Sequence, residues 1–102
     1  MKLAYAVVWS ENGSTSSGRL DAHTDRFELA GRGQHLSIPF AELATASIVR
    51  GRSDRLHGLR VLELTRDGRP AVRIASLEGA GALHELFAKI ERAGVAQRER
   101  AA

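Results

Sequence analysis

The sequence contains no cysteine. That absence excludes disulfide scaffolds, zinc ribbons, thiol redox chemistry and cysteine nucleophiles together. Aromatic residues are also scarce, at 5%, and most stand where core residues are expected. Nucleic-acid binders interleave aromatics with a basic stripe, a pattern this chain lacks. No apolar run approaches the roughly 18 residues of a membrane span. The opening MKLAYAVVWSENGS has seven apolar residues after Lys2 and no small-residue cleavage pattern, so it reads as a strand rather than a secretion signal. The expectation is a cytoplasmic protein beginning at its own Met1.

Motifs of catalysis are missing too. No nucleophile elbow, phosphate loop or His-Glu-x-x-His helix occurs. The histidines His23, His35, His57 and His84 include no pair at i, i+4. Asp21, His23 and Asp25 place three potential metal ligands near one turn, but aspartate is ordinary turn chemistry, and no metal site is assigned. The chain is expected to be non-enzymatic and to need no cofactor.

What is present points to one β-rich domain. A chain of 102 residues buries roughly 65% of its unfolded surface. The net charge is +3, from 15 basic and 12 acidic residues, with arginine at thirteen positions. Arginine's high pKa lifts the isoelectric point without creating a strong field, so charge alone gives weak support to an anionic partner.

Alternation predicts the strands. Leu3 to Trp9 is apolar on both faces, as a central strand requires. Ser10–Gly18 has turn composition and reads as a long hairpin loop. Arg19 to His23, Arg26 to Ala30 and His35 to Phe40 follow as strands, with Leu20, Phe27, Leu29, Leu36, Ile38 and Phe40 inward. Pro39 ends the fourth strand, and Phe40–Ala44 forms a single helical turn. Thr45 to Arg50, Leu59 to Thr65 and Ala71 to Ala75 complete seven strands, with an Asp67-Gly68 hairpin signal between the last two. Ser76 to Gly94 reads as one amphipathic helix, with Leu83, Leu86, Phe87 and Ile90 on its apolar stripe. Ser76 is its expected N-cap, with Glu78 in its first turn. Gly94 is its expected stop. Residues 1–94 form the domain and 95–102 an unpatterned, disordered tail. His84, Glu85, Lys89 and Arg92 are assigned to a solvent face without chemistry.

Seven short strands followed by one helix resemble the pleckstrin-homology-like superfold, especially its small bacterial and GRAM-like members. The residues carrying the resemblance are Gly18-x-Leu20, Phe27-x-Leu29, Leu36-x-Ile38-Pro39-Phe40-x-x-Leu43, Leu62-x-Leu64 before Asp67-Gly68, and the helical stripe. It covers about residues 3 to 93. It implies a split barrel of two near-orthogonal antiparallel sheets, capped by the helix.

The resemblance also implies two candidate sites. One is an anion or lipid head-group site formed by loops at one barrel end, where Arg19, Arg32, Arg66 and Arg69 stand. This chain departs from the phosphoinositide pattern, placing Glu11 and Asp21 where a phosphate would be repelled. The other is a peptide groove between the fifth strand (Thr45 to Arg50) and the helix, used by strand addition. An uncovered edge there also invites self-association as a homodimer. Separately, Arg50, Arg52, Arg55, His57 and Arg60 are diluted only by Asp54 and form a candidate docking loop for an acidic partner or a nucleic-acid backbone. The leading expectation is a module that binds a protein or peptide. The alternative is a peripheral domain for an anionic membrane or phosphate.

Overall fold

Apolar residues at every second position generate the strands, and each strand's inward set meets in one core. The computed structural model of the protein describes residues 4–49 and 56–101, with side chains as far as residue 94. Seven strands run β1 (Ala4–Glu11), β2 (Ser14–Ala22), β3 (Arg26–Gly31), β4 (Gln34–Pro39), β5 (Leu43–Val49), β6 (Val61–Arg66) and β7 (Arg69–Ser76). A 3-10 turn, Phe40–Glu42, joins β4 to β5, and the C-terminal helix α1 spans Ala80–Ala101. The fold is therefore mainly β with one C-terminal helix, as the alternation predicts.

All pairings are antiparallel, in the order β4-β3-β2-β1-β7-β6-β5. β1 is shared by two halves: it pairs with β2 along its whole length and with β7 over Val7–Glu11. Among the described residues β4 and β5 have no partner on their outer sides, so the curled sheet stays open as a half-barrel.

The inner face is dry. Tyr5, Val7, Trp9, Leu20, Phe27, Leu29, Ile38, Leu62, Leu64, Val72 and Ile74 are buried there, with Phe40 added by the 3-10 turn. The rings of Phe27 and Phe40 meet at 5.7 Å between centroids, tilted by 40°. Leu83, Leu86 and Ile90 close the core from α1, while Phe87 is only half-buried beside them. Fully burying those three is worth about 1.5–3 kcal/mol each before entropy. On the opposite face of the sheet, Val8 and Ala75 stand opposite one another, and both are buried, as is Val61.

Four expectations change. The stretch Ser10–Gly18 is not a long loop: Asn12 and Gly13 both take positive φ (52° and 85°), the signature of a two-residue hairpin turn. Its serines pair along β1 instead, Ser17 opposite Val8 and Ser16 opposite Trp9. Ser76 does not cap the helix. It ends β7, and its Oγ accepts the Glu78 N–H at 3.0 Å. The first helical bond runs from the Leu83 N–H to the Gly79 carbonyl at 3.3 Å, after the chain swings at Gly79 (φ 104°). Glu78 serves the sheet rather than the helix: its Oε2 accepts the Ala6 N–H at 2.7 Å, while the Leu77 N–H donates to the Ala6 carbonyl at 2.9 Å. Both bonds prolong the β1–β7 contact past the last ladder pair.

The fourth change is at Gly94, which does not stop α1. A glycine inside a helix costs only about 1 kcal/mol relative to alanine. The alanine, glutamine and arginine that follow are good helix formers.

Candidate functional site

The sheet's two-residue turns sort the loops by end. Asn12-Gly13 and Arg32-Gly33 rise together, enclosing a cleft of about 390 Å³ lined by Trp9, Glu11, Asn12, Ser14, Gly33, Gln34 and His35. The Ser16 hydroxyl donates to Gln34 Oε1 beneath it. This is the end where the anion-binding arginines were expected, and none of the four lines the cleft.

Each is placed differently. The Arg66 side chain is 2% exposed, and its Nη2 donates to Glu11 Oε2 at 2.6 Å and to the Pro70 carbonyl at 3.3 Å. Arg66 is thus an internal strut between β6 and β1, with its charge spent on Glu11. Arg19 lies on the exposed face of β2, its Nε donating to Asp21 Oδ2 at 3.0 Å. Arg32 and Arg69 remain exposed, on the β3–β4 turn and at the start of β7. The ring read from the sequence is therefore not assembled as a set.

Arg50, Arg52 and Arg55 of the docking-loop candidate lie outside the described residues. Arg60 is exposed, just after a tight turn in which Leu56 and Leu59 form a bridge around His57 and Gly58. Asp21, His23 and Asp25 do not converge. Asp21 is bound to Arg19, Asp25 to Arg26 at 3.1 Å, and His23 faces Glu28 at 3.8 Å. Among the described residues no three His, Asp or Glu side chains are grouped closely enough to hold a metal.

The sequence reading passed over Glu28, which gathers cations on the outer face. Arg26 Nε donates to its Oε1 at 3.2 Å, and the Nε2 atoms of His23 and His35 stand 3.8 Å and 3.7 Å from its Oε2. The Arg26 hydrogen bond, outweighing desolvation and helped by the charges of Arg26 and the histidines, holds the Glu28 carboxyl below its usual range. The same bond raises Arg26 further. Strand alternation carries this cluster, since Arg26 and Glu28 share one face of β3 and His35 stands on β4 beside it.

The remaining feature is the edge of β5. A register shift between Leu43 and Thr45 bulges the start of the strand, after which Thr45–Val49 pairs regularly with β6. The hydroxyls of Thr45 and Thr65 bond across that pair. α1 packs beside the strand, and a depression of about 100 Å³ opens between Leu43–Ala46 and Ile90, Glu91 and Gly94. That is well below the roughly 300–1,000 Å³ of small-molecule pockets. It has the scale of a slot for one side chain.

Among the described residues no helix is long and apolar enough to cross a membrane. No protein-family model matches the chain, and no curated protein does. Solved structures are similar, among them a crystal structure of the C-terminal domain of an unknown protein from Leishmania infantum. That domain and this chain superpose with a TM-score of 0.64 at 16% identity, over 87% of this chain and 84% of that one. At this identity the likeness speaks for the fold alone.

Proposed function

We propose that this chain is a non-enzymatic binding module of the pleckstrin-homology-like kind, receiving an extended segment of a protein partner along β5. The observation behind this reading is the position of β5: it ends the strand order, its outer edge is unpaired among the described residues, and α1 runs beside it. An added strand gains main-chain hydrogen bonds from such an edge, and the neighbouring slot selects a small side chain. The anionic-membrane reading has less behind it, because Arg66 is spent on Glu11 and Arg19 on Asp21.

The test is to select binders from a displayed library of random peptides and map one by amide chemical shifts. The expected perturbations fall on Thr45–Val49 and α1 residues near Ile90, and Ser47→Pro weakens binding. Perturbations confined to the turns at Asn12 and Arg32 would refute the groove. Sedimentation with anionic vesicles, repeated with Arg32→Glu/Arg69→Glu, tests the membrane reading. Light scattering reports whether a second copy of the chain occupies the edge.

A further inference from the structure

We propose a second binding site, for a small organic anion with an apolar body, in the cleft between the β2–β3 turn and α1. It goes beyond the peptide groove and involves none of that groove's residues. The cleft measures about 760 Å³, inside the range that encloses small ligands and larger than the clefts beside β5 and between the turns. Its apolar lining comes from Ala22, Phe40 and Ala93, and its polar lining from His23, Thr24, Asp25, Arg26, Lys89 and Arg92.

The charges are unevenly committed. Asp25 accepts from Arg26 Nη1 at 3.1 Å, while Arg26 Nε is held by Glu28 at 3.2 Å. Among the described residues lining the cleft the only carboxylate, Asp25, is therefore engaged by a cation of the same turn. Lys89 and Arg92 stand three positions apart on α1, which places them on one helix face. The Lys89 ammonium is steadied 5.2 Å above the centre of the Tyr5 ring. Arg92 is exposed, and its Nε makes a long 3.4 Å bond to the Ala88 carbonyl. Among the described residues it pairs with no carboxylate, so its fork of donors can take a carboxylate or phosphate by charge-assisted bonds. An anion held there lies beside Phe40 and Ala93, so the rest of the ligand meets apolar surface.

The chemistry is shared by carboxylates and phosphate monoesters, and the experiment separates them. Titrations followed by amide chemical shifts use benzoate, phenyl phosphate, inorganic phosphate and benzyl alcohol. At least one aromatic anion is expected to saturate, moving the amides of Ala22, Phe40 and Ala93 while those of Thr45–Val49 stay still. A response to benzoate alone assigns a carboxylate site, and a response to phenyl phosphate alone a phosphate site. Arg92→Gln is expected to weaken the aromatic anion at least tenfold and Arg92→Lys less, both melting with the parent because the side chain is exposed.

Several results would overturn the site. They are no saturable shift with either aromatic anion, undiminished binding in Arg92→Gln, equal binding of benzyl alcohol, or inorganic phosphate binding as tightly as phenyl phosphate.

Discussion

The hydroxyl of Tyr5 donates to Glu85 Oε1 at 2.9 Å, a bond between residues 80 positions apart. Tyr5 is buried to 1% exposure, so its ring is core while its oxygen reaches the helix surface. With Lys89 over the same ring, one tyrosine of β1 fixes both the height and the rotation of α1. Glu85 and Lys89, read from the sequence as idle solvent-facing residues, are the helix's side of that attachment.

Removing the hydroxyl tests the attachment. Tyr5→Phe leaves the ring packed and is expected to cost about 1.5–3 kcal/mol, the range for a hydrogen bond to a charged group. Glu85→Gln should cost less, since the amide oxygen still accepts. Denaturant unfolding of both single variants and the double variant gives the coupling. A coupling of zero would mean the bond contributes nothing to seating the helix.

β2 and β3 approach each other closely at Gly18. A Cβ at Gly18 would stand 1.8 Å from the Ala30 carbonyl oxygen, the same oxygen that accepts the Trp9 Nε1–H at 3.3 Å. Gly18→Ala must therefore push backbone. It is expected to destabilise by at least the about 1–3 kcal/mol of ordinary overpacking. Because Trp9 is the chain's single tryptophan, its fluorescence should shift as that acceptor moves. A parental melting temperature with an unshifted spectrum would contradict the close approach.

The strut between Glu11 and Arg66 makes a paired prediction. Neutralising one partner of a buried pair typically costs about 3–5 kcal/mol, because the other charge is left buried. Glu11 is 29% exposed, so Glu11→Gln should fall at or below the lower end. Glu11→Leu/Arg66→Met removes both charges and should recover most of the loss. Equal stability of Glu11→Gln and the parent in urea would show that the pair is not a strut.

Glu28 makes stability depend on acid. Its folded carboxyl titrates below the unfolded one, so its contribution is complete above the unfolded carboxylate range and disappears as pH falls through the folded one. Melting temperatures of the parent and Glu28→Gln should differ near neutrality and converge in acid. A constant difference across that range would rule out the charge cluster as its source.

Much of the architecture was legible because alternation is a geometric property of strands. Phe27 and Leu29 on one strand and Leu36 and Ile38 on the next announce the core face wherever they occur. The serine-rich β2 was not legible. Its composition is that of a turn, and only the Asn12-Gly13 pair marks where the chain reverses. Arg66 was misplaced although the parity was available: it follows Leu62 and Leu64 at two-residue steps, as Glu11 follows Val7 and Trp9. Two opposite charges on inward positions at the ends of β1 and β6, the strands that flank β7, read as an internal pair. The cleft near Arg92 had no local pattern, because its walls come from residues 22, 40 and 93.

The placement of β1 has a kinetic consequence. Every described strand pairing except β1–β7 joins sequence neighbours, which lets β1–β4 and β5–β7 assemble separately through local pairings. The β1–β7 ladder brings Trp9 to Ile74, and only then does α1, which follows β7, meet Tyr5. Closure entropy grows as about (3/2)RT ln n, so that single long-range step carries the largest closure cost of the described strand pairings. Until it occurs, the inner edges of both halves lie open to other chains.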